Sequence, residues 1–223
     1  MITTVSADGT GVRAYDDGQG PPILMVHPGL SDGTRCRRLA AILSGGGYRV
    51  LRLERRQYRL DLRPGPPVGI EQEVEDVLAL VRAVGAPVVL YGHSSGGVVA
   101  LEALVASPSS FAGAVIFEPP VVTGPPLGGE VLKQARAAMA AGRTGKALTI
   151  FLRDTVGLPG RQAWLGGDRS PAHLAGRLDA LAGVMPRAER VTLPGLDHGA
   201  DLRKPGEVAR VIRQLAEQVL GPA

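Results

Sequence analysis

Two stretches far apart in the chain carry residue types able to run nucleophilic chemistry: Gly92-His93-Ser94-Ser95-Gly96 and Pro194-Gly195-Leu196-Asp197-His198-Gly199. The first fits the pattern G-x-S-x-G, in which a serine sits on a sharp turn between a strand and a helix. Such a turn crowds its neighbours, and Gly92 and Gly96 supply the small residues it needs. A serine hydroxyl is a weak nucleophile at neutral pH, so a base must take its proton. The chain has four histidines. His27 ends a strand, His93 lies inside the turn and His173 lies on a helix. His198 stands on a glycine-flanked loop able to reach across the top of a sheet, and it is the expected base.

An attacked carbonyl develops an oxyanion, which needs backbone N–H donors. Ser95, directly after the nucleophile, is one. The other is expected from the loop His27-Pro28-Gly29-Leu30. Pro28 has no N–H, which leaves Gly29, with Leu30 as the alternative. His27, His93 and Arg55 stand where they could touch substrate. Arg55 belongs to Arg55-Arg56-Gln57-Tyr58-Arg59 at the end of a strand, where ligands bind in open α/β sheets. It could recognise a carboxylate or phosphate, or simply lie in a solvated loop.

These residues need a frame. Apolar runs alternate with amphipathic stretches, the pattern of a mostly parallel sheet with helices on both faces. Strands are expected at Ile23–His27, Tyr48–Leu53, Pro87–Tyr91, Ala112–Phe117 and Arg190–Leu193, with a weaker one at Ala163–Leu165. Helices are expected at Thr34–Leu43, Ile70–Val84, from the elbow to Ala106, at His173–Val184 and at Pro205–Leu220. In Ile70–Val84 the apolar residues Val74, Val77, Leu78 and Val81 follow helical spacing. Pro119–Gly160 is punctuated by proline and glycine, with helices near Val131–Ala141 and Ala147–Arg153, and reads as a short helical lid insertion. The whole of 1–223 is expected to form a single domain.

Bulk properties narrow the classes. Of 223 residues, 44% are hydrophobic and 21% charged, a globular balance. The net charge of +4 invites a nucleic-acid partner, but aromatics at 4% leave little to stack on bases. No apolar run spans a bilayer, and Met1–Gly9 has neither the basic start nor the apolar core of a secretory signal. Cys36 is the only cysteine, which excludes an internal disulfide. The expected setting is cytoplasmic. The expected partner is a small-molecule substrate, with no nucleic acid and no membrane; a homodimer stays open.

In the order of these parts the chain resembles the α/β-hydrolase superfamily, and in particular its small bacterial esterase-like members. The likeness runs nearly end to end: an oxyanion strand ending in His27-Pro28-Gly29, the elbow, a lid insertion, and a Gly-x-Asp-His loop before the last helix. It implies an α/β-hydrolase fold and the chain order serine, acid, histidine. Two departures stand out. Pro28 replaces the usual glycine after the oxyanion histidine, and the segment before the penultimate strand is trimmed, so the lid should be small.

The resemblance also frames the acid that holds the imidazole tautomer. The superfamily commonly supplies it after the penultimate strand, where Asp168 stands two residues before the usual position. A second placement, as in haloalkane dehalogenases, is the end of the strand after the elbow helix, where Ile116-Phe117-Glu118-Pro119-Pro120 stands. Glu118 is preferred and Asp168 is the alternative. Dehalogenases use an aspartate nucleophile; Ser94 points instead to acyl transfer. The resemblance therefore implies a serine hydrolase cleaving an ester, thioester or lactone through an acyl-enzyme, with no metal or organic cofactor. The alternatives are a lyase, acyltransferase or cyclase of secondary metabolism on the same scaffold, or a ligand-binding protein with a vestigial triad.

Overall fold

A computed structural model describes residues 1–62, 67–122, 129–144, 146–147, 169–170, 172–184 and 189–223. They group into two compact units, Met1–Pro119 with Asp201–Ala223, and Pro120–Ala200.

The first unit is built on a six-stranded sheet of order β1-β2-β4-β3-β5-β6. Its strands are β1 (Ile2–Val5), β2 (Gly11–Asp17), β3 (Pro22–Val26), β4 (Arg49–Leu53), β5 (Val88–His93) and β6 (Phe111–Phe117). The pairs β4–β3, β3–β5 and β5–β6 are parallel, while β2 runs antiparallel to both β1 and β4. The β1–β2 hairpin is absent from the sequence reading. Its signals are the β-favouring run Ile2-Thr3-Thr4-Val5 and the turn dipeptide Asp8-Gly9. The turn is held by Gly9 in the left-handed region (φ 82°) and by the Thr10 N–H donating to Asp8 Oδ1 at 2.9 Å.

Helices α1 (Arg37–Gly45), α2 (Ile70–Val84) and α3 (Ser95–Ala106) connect the parallel strands, and α7 (Pro205–Leu220) closes the chain. Alternation along each strand divides its side chains between two faces. Leu24 and Val26 of β3 join Val77, Leu80, Val99 and Ala100 of α2 and α3 in one buried cluster. Ile23 and Met25, equally buried, face the other way, the side on which α1 and α7 pack together. All six residues of β5 are buried, as a central strand covered on both faces requires.

α2 spans the residues its periodicity assigns, ending at Gly85 in the left-handed region (φ 73°). The Gly69 N–H at its start donates to Gln72 Oε1 at 2.8 Å.

In the second unit, α4 (Gly129–Ala140) and α5 (Ala172–Val184) are described, followed by the single turn α6 (Ala200–Arg203). Ala135, Ala138 and Ala147 form a small apolar cluster with Val131 against it. The unit begins where the insertion was expected but extends to Ala200, beyond 160. Residues 148–153 and 163–165, assigned a helix and a strand from sequence, lie outside the described residues. Arg190–Leu193 forms no strand. Its first three residues are exposed, and β-branched propensity alone makes no strand without a ladder partner. Among the described residues no helix is long and apolar enough to cross a membrane.

Candidate active site

β5 delivers Ser94 directly into α3. Its backbone has φ 52° and ψ −123°, a conformation that L-residues other than glycine rarely adopt and that costs about 1–3 kcal/mol. Three hydrogen bonds over-determine it. The Ser94 N–H donates to Phe117 O at 2.8 Å, and the Gly97 and Val98 N–H groups donate to Ser94 O at 2.8 and 3.2 Å. The flanking glycines are sterically compelled. A Cβ on Gly96 would lie 2.4 Å from the carbonyl oxygens of Val26 and His27, and one on Gly92 would lie 2.6 Å from Ala100 Cβ. The elbow is therefore wedged between the ends of β3 and β6, and Ser94 is half-buried.

Strained backbone recurs at two neighbouring strand ends. Among the described residues, the non-glycine residues with positive φ are Leu30, Ser94 and Glu118. They follow β3, β5 and β6, three adjacent parallel strands, at the carboxyl edge where open α/β sheets bind ligands.

Glu118 is buried, 4% exposed. It comes one residue after Phe117, whose carbonyl accepts from Ser94, so the first unit fixes it beside the elbow. The alternative acid, Asp168, lies outside the described residues.

Gly29 borders the elbow. A Cβ there would sit 3.2 Å from Ser95 Oγ and 3.1 Å from the Tyr58 hydroxyl. Leu30 is 62% exposed. Ser95 is the first residue of α3, where a backbone N–H has no intrahelical acceptor. The expected donors Ser95 and Gly29 thus flank one another.

The three residues expected to touch substrate are turned inward: His27, His93 and Arg55 are 1%, 0% and 2% exposed. Each has polar partners inside the first unit. Arg55 forks onto Glu73 through Nε and Nη2, both at 2.8 Å, and its Nη1 donates to His27 O and Ser95 Oγ, both at 2.9 Å. One guanidinium thus ties α2, the end of β3 and the elbow together. Arg56 pairs with Asp76 and Asp8. Arg55 and Arg56 are buried, 2% and 7% exposed, rather than lying in a solvated loop. Two acidic residues of α2, Glu73 and Asp76, neutralise them.

His27 accepts from the Arg55 N–H through Nε2 at 3.3 Å, while Nδ1 lies 2.8 Å from Pro28 O. Both contacts are satisfied by a neutral ring protonated on Nδ1. Burial pushes its pKa from 6.5 down to about 4, against the Pro28 hydrogen bond and with help from the Arg55 charge. A depressed folded pKa means that the unfolded chain binds the proton more readily. Stability should thus be fully present above pH 6.5 and lost as pH falls through 4, by up to about 3 kcal/mol. Urea unfolding across this range should show that slope, flattened in His27→Asn; equal slopes would contradict a buried neutral ring.

Asp201 opens the C-terminal part of the first unit. Its carboxylate takes Arg35 Nε and Nη2, both at 2.9 Å, and its Oδ2 lies 3.3 Å from His93 Nδ1. Burial would raise its pKa, but the facing His93 and the Arg35 fork outweigh it and hold the carboxyl well below the usual range. Cys36, buried nearby, has its thiol pushed up to about 12 by burial and by the Asp201 charge, which removes it as a nucleophile. Sequence reasoning missed Asp201; its only linear signal is a position three residues past His198.

His198 itself is half-buried in the second unit. Its loop is closed by the Ala200 N–H donating to Asp197 O at 2.9 Å and the Gly199 N–H donating to Asp197 Oδ1 at 3.2 Å. Asp197 is thereby engaged in shaping the turn.

The strained serine elbow between a parallel strand and a helix defines an α/β hydrolase architecture. The model of the alpha/beta hydrolase family matches residues 23–217, and the chain belongs to that family. Solved structures share the fold. An alpha/beta hydrolase from Sphaerobacter thermophilus is 26% identical with a TM-score of 0.60, over 98% of this chain and 74% of that one. A thermophilic esterase from Thermogutta terrifontis is 19% identical with a TM-score of 0.72, over 98% of both chains. An epoxide hydrolase from Vigna radiata is 16% identical with a TM-score of 0.66, over 96% of this chain and 97% of that one. No protein of curated function matches the chain. Neighbours with different reactions on one fold mean that the chemistry must be argued from the site.

Proposed function

We propose that the protein is a serine hydrolase that cleaves a carboxylic ester, thioester or lactone through an acyl-enzyme. Ser94 Oγ attacks the carbonyl carbon while the His198 imidazole takes its proton. The N–H groups of Ser95 and Gly29, or Leu30 in place of Gly29, stabilise the oxyanion. His198 then protonates the departing alkoxide or thiolate, which leaves as the alcohol or thiol, or stays tethered to the acyl group as a hydroxyl when the substrate is a lactone. A water deprotonated by the same ring attacks the acyl-enzyme, releasing the acid and restoring Ser94. Glu118 orients the imidazole and stabilises its charged form, with Asp168 as the alternative.

The observation that carries this reading is the strain at Ser94, held in place by neighbours that tolerate no Cβ. Strain of this kind persists where the surroundings enforce it and clusters at reactive sites. The serine also separates this reading from carboxylate-nucleophile chemistry on the same fold.

The test is turnover of a p-nitrophenyl acetate and butyrate, thioester and lactone panel in H2(18)O. The expected result is one solvent oxygen in each acid released. Consumption of substrate without solvent oxygen in the product would indicate a lyase, transferase or cyclase. Inertness toward the whole panel would point to a binding protein.

A further inference from the structure

Three side chains of the first unit form a buried charge array that the hydrolytic steps above do not use. The Asp201 side chain is 0% exposed, as is that of His93, and the Arg35 side chain is 11% exposed. Arg35 grips both carboxylate oxygens of Asp201, and His93 faces the same carboxylate. The His93 ring also packs against Phe117, with centroids 4.9 Å apart. Phe117 is the residue whose carbonyl fixes the Ser94 N–H. A buried ion pair is weak support for stability, since apolar residues of similar volume often do as well. What it supplies is a defined geometry.

The place of Asp201 in the chain says which geometry. It stands three residues past His198, and three Cα steps span at most about 11 Å. His93 directly precedes Ser94. The array therefore pins the chain just beyond the expected base to the residue just before the expected nucleophile. We propose that Asp201 is a positioning residue that, through Arg35 and His93, fixes the C-terminal stem of the His198 loop so that the imidazole engages the Ser94 hydroxyl. This rests on the Ser94–His198 assignment. A misplacement of about 1 Å between reacting groups can cost on the order of 100-fold in rate, so the stem needs a rigid hold.

The experiment is inactivation of the full chain by an alkyl fluorophosphonate, resolved into the reversible constant KI and the rate kinact. In Asp201→Asn, kinact should fall about 10- to 100-fold with KI within about twofold, because binding of the probe does not use the array. His93→Asn should lower kinact by a similar factor, and the double variant by no more than the larger single effect, since both act through one contact. Arg35→Lys keeps the charge but loses the fork, and should lower kinact by a smaller factor. It carries the test if Asp201→Asn does not fold. An unchanged kinact, a loss wholly in KI, or additive effects of His93→Asn and Asp201→Asn would overturn the positioning role. Wild-type protein that is never inactivated would instead defeat the serine assignment itself, and the two failures are thus distinct.

Discussion

Ser94→Ala is expected to lower kcat/KM on the best ester of the panel by about 10^4-fold or more, equivalent to about 5.5 kcal/mol of transition-state stabilisation. The hydroxyl forms the covalent bond of the proposed reaction, and alanine offers nothing in its place. What remains would come from oxyanion donors and substrate binding, which still accelerate reactions over water. The hydrogen bonds that hold the elbow are made by the backbone, so the variant should fold normally. His198→Ala should lose a similar factor, and combining the two should add little, because nucleophile and base act as one unit. Steady-state kinetics check this, and a Ser94→Ala protein within tenfold of wild type would refute the assignment.

The second large effect is on stability. Glu73→Ala should destabilise the fold by about 3–5 kcal/mol, because it leaves the Arg55 guanidinium buried without its counter-charge. The pair is deeply enclosed, with side chains 2% and 6% exposed. Gln57 Nε2 also donates to Glu73, at 2.8 Å, so the deletion breaks a network rather than one bond. Since Arg55 also holds His27 O and Ser95 Oγ, activity should fall along with stability. The urea midpoint measures the first effect. A shift worth less than about 1 kcal/mol would place Arg55 and Glu73 among the weak surface pairs.

The parallel core was legible because its signals are local. β3, β5 and β6 are short, largely apolar runs, β4 interleaves arginine with apolar residues, and α2 has helical spacing along its full length. The elbow was legible for the same reason: its glycines and serine are contiguous, and the steric demand on Gly92 and Gly96 follows from the turn itself. What escaped depends on residues distant in sequence. Arg55 and Arg56 look like ligand-facing or solvent-facing charge until α2 presents Glu73 and Asp76, 18 and 20 residues later. His93 and His27 look available until the chain buries them. Asp201 is an ordinary helix-start acid until Arg35, 166 residues earlier, closes on it. Arg190–Leu193 shows the opposite error, in which local propensity promised a strand without a partner to pair with.

The central claim is that Ser94 is an activated nucleophile, and covalent trapping tests it most directly. Folded wild-type protein should be treated with an alkyl fluorophosphonate, digested, and its peptides weighed. A single adduct on the peptide carrying Ser94, absent after heat denaturation and absent in His198→Ala, is the expected result. An unmodified protein, or a probe attached at another residue, would contradict it.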